Sequence, residues 1–198
     1  MLQDITNKQE SVSSASQEQL RQMLMDPARR EQGFRLLTKR YGETLYWHIR
    51  RIVVSHDDAE DALQETFIKV YSNLESFKGD GQFSSWMYRI ATNEALTLLR
   101  KQTRIFQSLD SLSDVLAGKL EAETSLDSGA AEVLFQKALL TLPTQQRIAF
   151  NLRYYDELSY DEIARITGKS TGTLKANYHY AVEKVKSYIN KYSQDEAV

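Results

Sequence analysis

The sequence predicts an all-α protein made of two helical units joined by a linker. Three observations carry that reading. Apolar residues recur at three- and four-residue spacing in one segment after another, the period of a helix facing a core. The 198 residues include only 2 prolines and 8 glycines, too few for a chain rich in turns. No stretch keeps the strict alternation of a half-buried strand.

Residues 1–24 are polar, with Gln and Ser clusters, and are expected to be disordered or a frayed helix. Pro27 suits the first turn of a helix. Phe34, Leu37, Tyr41, Leu45, His48 and Ile52 then follow at helical spacing, with Gly42 as a weak point. Asp57 with Glu60 has capping-box spacing, and Leu63, Phe67, Val70, Leu74 and Phe77 form the apolar seam of a second helix. The glycines of Lys78–Gln82 end it. A third helix is expected from about Ser84 to Arg104, with Met87, Ile90, Ala91, Ala95 and Leu98 toward the core. These segments make a first unit at 25–104.

Over 105–131 Ser, Asp, Glu and Ala dominate, and the stretch reads as a flexible acidic linker. Periodicity returns with Val133, Leu134 and Leu140. Pro143 can start the next helix, whose apolar side is Ile148, Ala149, Leu152 and Tyr155. The second unit spans 132–192 and ends in the most informative stretch of the chain. Ser159 and Glu162 form a capping box, Gly168 supplies a positive-φ stop, and Ser170 or Thr171 caps a new helix at once. Leu174, Tyr178, Ala181, Val182, Val185 and Ile189 share one face of that last helix. This is a helix-turn-helix pattern, whose second helix enters a DNA major groove.

The net charge is -2, yet charge is unevenly spread. Lys78–Arg104 is net +3 and Gly168–Tyr192 net +4, whereas Asp57–Phe77 is net -5 and Ile105–Ala131 net -4. Phosphate attraction is local, so the basic segments suit DNA. An acidic helix serves no purpose in a protein that touches DNA alone. It reads as a separate docking surface; the bland alternative is a solvated face. On the third helix Trp86, Arg89, Asn93 and Arg100 form one outward stripe. It holds the groups that stack on unpaired bases, hold phosphates and bond base edges. Leu96 falls on the same side without a role. The bland alternative here is Trp86 packing at the helix end beside solvated arginines.

Cys is absent, which excludes disulfides and cysteine-ligated zinc. No apolar run reaches the length of a bilayer span or resembles a secretory leader, so a bacterial or cytosolic interior is the expected setting. His56 stands beside Asp57, Asp58, Glu60 and Asp61, but those carboxylates already serve as cap and exposed face. No metal site and no cofactor are expected. No phosphate loop and no nucleophile–base pair is present, so no enzyme activity is expected. The remaining rival is a stand-alone helix-turn-helix regulator. It explains the C-terminal unit but neither the acidic face nor the aromatic–basic stripe.

Two motif regions carry a resemblance. Asp57–Phe67 followed by Phe77–Asn93 resembles region 2 of bacterial extracytoplasmic-function (ECF) sigma factors, of the sigma-70 family. Leu142–Arg147, Leu158–Ala164 and Gly172–Lys175 resemble their region 4. The resemblance implies a subunit, monomeric within the holoenzyme, that binds core RNA polymerase and guides it to promoter DNA in the bacterial cytoplasm. It implies that Asp57, Asp61, Gln64 and Glu65 dock on the polymerase clamp. It implies that Lys78, Trp86, Tyr88, Arg89, Asn93 and Arg100 capture and line an opened minus-ten strand. Ser170, Thr171, Thr173, Lys175, Ala176, His179 and Tyr180 are implied at the minus-thirty-five element, with Lys175 on phosphate and Thr173, Ala176 and His179 toward base edges. Asn177 and Tyr180 stand where many members carry arginine, which implies fewer phosphate or guanine contacts. An anti-sigma factor is the further expected partner.

Overall fold

The computed structural model describes residues 18–77, 83–106, 109–123 and 129–195. All regular structure among them is helical. Helix α1 spans 18–25, α2 Arg30–Val53, α3 His56–Ser72 and α4 Phe83–Phe106. Helix α5 spans Leu109–Glu123, α6 Ala130–Leu140, α7 Thr144–Tyr154, α8 Tyr160–Thr167 and α9 Thr171–Asp195.

Helices α2, α3 and α4 pack on one another as the first bundle. Leu37, Leu45, Ile49, Ile52, Val70, Met87, Ala91 and Ala95 fill its centre. α2 continues unbroken through Gly42. Part of the polar N-terminal stretch is ordered: Leu20 and Leu24 of α1 are buried in the same core. Gly33 permits that crossing, because a Cβ there would lie 3.1 Å from both Leu24 N and Met23 Cβ. The cap of α3 is Ser55, not Asp57; its hydroxyl accepts from Asp58 N. Two residues join α2 to α3, and the bend forces Val54 to φ 70, a region that β-branched residues rarely adopt.

The stretch read as a flexible linker contains a helix. α5 packs on α4 and α6, with Leu116 buried. Lys119 Nζ lies 2.7 Å from Asp58 Oδ2, which ties α5 to the start of α3. Sequence periodicity is weak here because buried Leu116, partly buried Ala117 and Leu120, and the ion pairs Lys119–Asp58 and Glu121–Lys137 hold the helix.

The C-terminal helices α6 to α9 form the second bundle, with Leu139, Phe150, Ala181 and Val185 in its own cluster. The capping box is as expected: Ser159 Oγ accepts from Glu162 N, and Ser159 N donates to Glu162 Oε2 at 2.8 Å. Gly168 ends α8 at φ 70. The two bundles pack directly against each other, α8 on α4 and α7 on α2. Ile148, Leu152, Ile163 and Leu174 join the same apolar cluster as Ile49 and Met87.

Candidate nucleic-acid interface

The acidic face of α3 is open. Asp57, Asp61, Gln64 and Glu65 are all exposed, and Asp57, Asp61 and Glu65 recur every four residues along one side of the helix. An apolar extension missed at the sequence level continues it. Phe34 meets Phe67 and Tyr71 edge-on at 6.1 and 5.1 Å, while Ile68 and Tyr71 stay 57% and 45% exposed. The signal was present in the chain: Ile68 and Tyr71 lie off the buried seam of their helix.

On α4, Arg89, Asn93 and Arg100 are exposed along one side. Trp86 is half-buried and stacks on Phe83 at 5.5 Å, with Phe77 at 5.4 Å. Its ring is held in an aromatic corner at the helix start. Leu96 is partly buried against the core, which accounts for its place on the wheel. Lys78 lies outside the described residues. Tyr88 departs from expectation. It is 6% exposed and turned inward, its ring 4.9 Å from that of His48. Burial, with the Asp156 carboxylate nearby, pushes its hydroxyl well above the usual tyrosine range. In this arrangement Tyr88 is a seam residue, not a strand-facing one.

The first turns of α9 are uncovered. Ser170, Thr173, Lys175, Ala176, His179 and Tyr180 are exposed; Thr171 is partly buried. Ser170 Oγ accepts from Thr173 N at 3.1 Å and lies 2.9 Å from the Thr173 hydroxyl, so this pair caps the helix. Lys175 reaches outward past Tyr160, its Nζ 5.8 Å from that ring centre. Tyr180 presents a large apolar ring, 57% exposed, where a groove-entering helix would meet DNA.

The seam between the bundles is partly polar, which sequence reasoning did not foresee. His48 Nδ1 lies 3.1 Å from Asp156 Oδ2, and His48 Nε2 lies 2.9 Å from Thr92 Oγ1. Thr92 spends its one hydroxyl proton on Tyr88 O, so both ring nitrogens face acceptors. Arg51 Nη1 reaches Asp156 Oδ1 at 3.3 Å, and its guanidinium covers the Tyr155 ring at 4.2 Å. Arg147 Nη2 donates to Ile52 O at 3.1 Å, and Asn151 Nδ2 donates to Arg51 O. Burial pushes the Tyr155 hydroxyl up to about 12 and the Arg147 guanidinium down to about 10. The available signal was Arg147 and Asn151 at i, i+4 beside Ile148 and Leu152, polar groups on an inward face.

A family model described as Sigma-70 region 2 matches residues 37–105, and one described as Sigma-70, region 4 matches residues 132–185. The chain is 36% identical over 174 residues to the ECF RNA polymerase sigma-E factor of Escherichia coli K12, covering 80% of this chain and 87% of that protein. It is 31% identical over 158 residues to the ECF RNA polymerase sigma factor SigW of Bacillus subtilis, covering 75% and 84%. Two solved structures share the fold. The sigma factor RpoE in complex with the anti-sigma factor NepR from Bartonella quintana aligns at TM-score 0.62 and 22% identity, over 79% of this chain and 96% of that one. CnrH in complex with the cytosolic domain of CnrY aligns at TM-score 0.65 and 21% identity, over 88% and 97%.

Proposed function

Because the chain belongs to the ECF sigma factors of the sigma-70 family, which bind core RNA polymerase and direct promoter recognition, we propose how its surfaces divide that work. The first unit, 25–104, docks on the polymerase clamp and takes the minus-ten element. The second, 132–192, reads the minus-thirty-five element. One observation carries this division: the acidic face of α3, the outer stripe of α4 and the first turns of α9 stay exposed even while the bundles are packed together.

Asp57, Asp61, Gln64 and Glu65 steer and hold a basic clamp surface. The adjoining Ile68 and Tyr71 supply the apolar part of that contact. Arg89, Asn93, Arg100 and the Trp86 corner, with Lys78 shortly before them in the sequence, receive an unpaired base of the opened strand. Opening costs a few kcal/mol and is least where pairing is weak, so promoter choice depends partly on ease of melting. Lys175 holds phosphate, while Ala176 and His179 meet base edges. Thr173 shares its hydroxyl with the Ser170 cap, which lessens its role in readout.

The chain carries out no covalent step; the polymerase does. Its setting is the bacterial cytoplasm, consistent with the fact that no helix among the described residues is long and apolar enough to cross a membrane. Promoter engagement at two separated elements requires the seam to open. An anti-sigma factor, such as the one bound to the Bartonella quintana RpoE, would act by favouring the packed form.

The test is reconstitution. The purified chain added to core polymerase supports promoter-specific run-off transcription, and alone gives no specific duplex shift. Tight site-specific binding without polymerase would instead identify a stand-alone regulator.

A further inference from the structure

The seam encloses a cavity of about 280 Å³ whose walls come from both bundles. α2 contributes Trp47, Arg50 and Arg51, and the C-terminal half contributes Glu132, Arg147 and Tyr155. Three guanidinium side chains thus share the wall with a single carboxylate, Glu132.

Arg147 is the unusual member. It is 4% exposed, and its Nε is buried without a hydrogen-bond partner. Among the described residues its guanidinium makes one hydrogen bond, from Nη2 to a neutral carbonyl, Ile52 O. Among the described residues no carboxylate pairs with it. Burial alone depresses its basicity, to about 10. Buried charges in proteins are ordinarily paired, because removing an ion from water without a counter-ion is costly. The neighbouring Arg51 is already matched by Asp156. Arg147 is not matched, and it lies on the wall of an accessible space.

We infer that this cavity is a binding site for a small phosphate-bearing anion, which supplies the counter-charge that Arg147 lacks. A phosphate monoester carries about -1.5 to -2 near neutral pH. It offsets the unmatched charge of Arg147, on a wall that also carries Arg50. Planar guanidinium forks match phosphate oxygens better than any other side chain. The volume limits the ligand to phosphate, pyrophosphate or a single nucleotide, at the small end of ligand pockets. Trp47 is 48% exposed at the rim and offers an aromatic face for a planar organic group. Because the walls come from both bundles, the anion binds the packed arrangement and not the opened one. Occupancy therefore stabilises packing by mass action. A soluble phosphate metabolite would thereby restrain this subunit without any protein partner.

The test uses the full chain with Trp86→Phe, so that Trp47 is the only tryptophan. Inorganic phosphate, pyrophosphate and adenosine monophosphate are titrated at matched ionic strength against sodium chloride. At least one gives a saturable change in Trp47 fluorescence and a smaller radius of gyration by small-angle scattering. Arg50→Ala weakens it roughly tenfold or more, and Glu132→Gln tightens it. Arg147→Met abolishes it; should that variant not fold, the Arg50 and Glu132 variants decide. No saturable response to any of the three probes at millimolar concentration overturns the inference. So does a response that Arg50→Ala and Glu132→Gln leave unchanged.

Discussion

His48 of α2 and Asp156 of the turn before α8 stand 108 residues apart in sequence and meet through a 3.1 Å contact, with side chains 0% and 3% exposed. This buried pair, with Arg51 beside it, is the polar centre of the seam that joins the two bundles. An interface of this kind is specific in geometry yet weaker than an apolar one of equal size. Burying the partners costs much of what their attraction returns.

Removing the carboxylate exposes that balance. Asp156→Ala leaves His48 and Arg51 facing each other with no anion between them, a change that typically costs roughly 3–5 kcal/mol for a buried pair. The partial exposure of Arg51 places the effect at the lower end. Small-angle scattering should show a larger radius of gyration, with helix content by circular dichroism unchanged. An unaltered radius would mean that Ile148, Leu152 and Ile163 hold the seam without help.

Asp61→Lys with Glu65→Lys should abolish co-purification with core polymerase. Both side chains are exposed and off the buried seam of α3, so the melting temperature should barely move. Retained co-purification would remove the docking role from this face.

Lys175→Ala should weaken all promoters alike and lower the salt slope of holoenzyme binding by about one, the signature of one lost phosphate contact. Asn93→Ala should relax preference at a single minus-ten position in a randomised-promoter assay. A base-selective defect from Lys175→Ala would show that it reads sequence.

Alkaline pH should open the seam. Tyr88 and Tyr155 are both raised above the ordinary value of 10, mainly by burial, and Tyr155 reaches about 12. A raised folded value means that stability is intact below pH 10 and declines as pH climbs through the folded values. The unfolded phenols ionise first, so the unfolded state binds fewer protons there. Tyrosinate absorbance should show late-titrating phenols, Tyr88 and Tyr155 foremost, with Tyr41 and Tyr188 also raised by burial. Tyr155→Phe should make the radius of gyration less sensitive between about pH 10 and 12.

The helical class and the punctuation of the last unit were legible because they are local. Ser159, Glu162 and Gly168 act within one turn of themselves, and the structure has all three as the spacing implies. The exposure of Asp61, Arg89 and Lys175 was legible from the helical wheel. Other features depend on distant partners. α5 is held by Lys119 on Asp58, 61 residues away, which no period in its own sequence announces. Tyr88 was placed at the opened strand by the family resemblance alone, yet the second bundle packs onto its side of α4. The burial of Arg147 needs the main chain of Ile52, 95 residues distant, before it makes sense.

That last bond also constrains inheritance. The acceptor is a backbone carbonyl, which every sequence provides at Ile52, whereas the pairing of Arg51 with Asp156 needs one side chain from each half. Chimeras whose grafted C-terminal half lacks a carboxylate at the position of Asp156 would leave Arg51 and His48 without their partner at the join. They should emerge as constitutively unlatched initiators, which makes domain shuffling a route to escape from restraint.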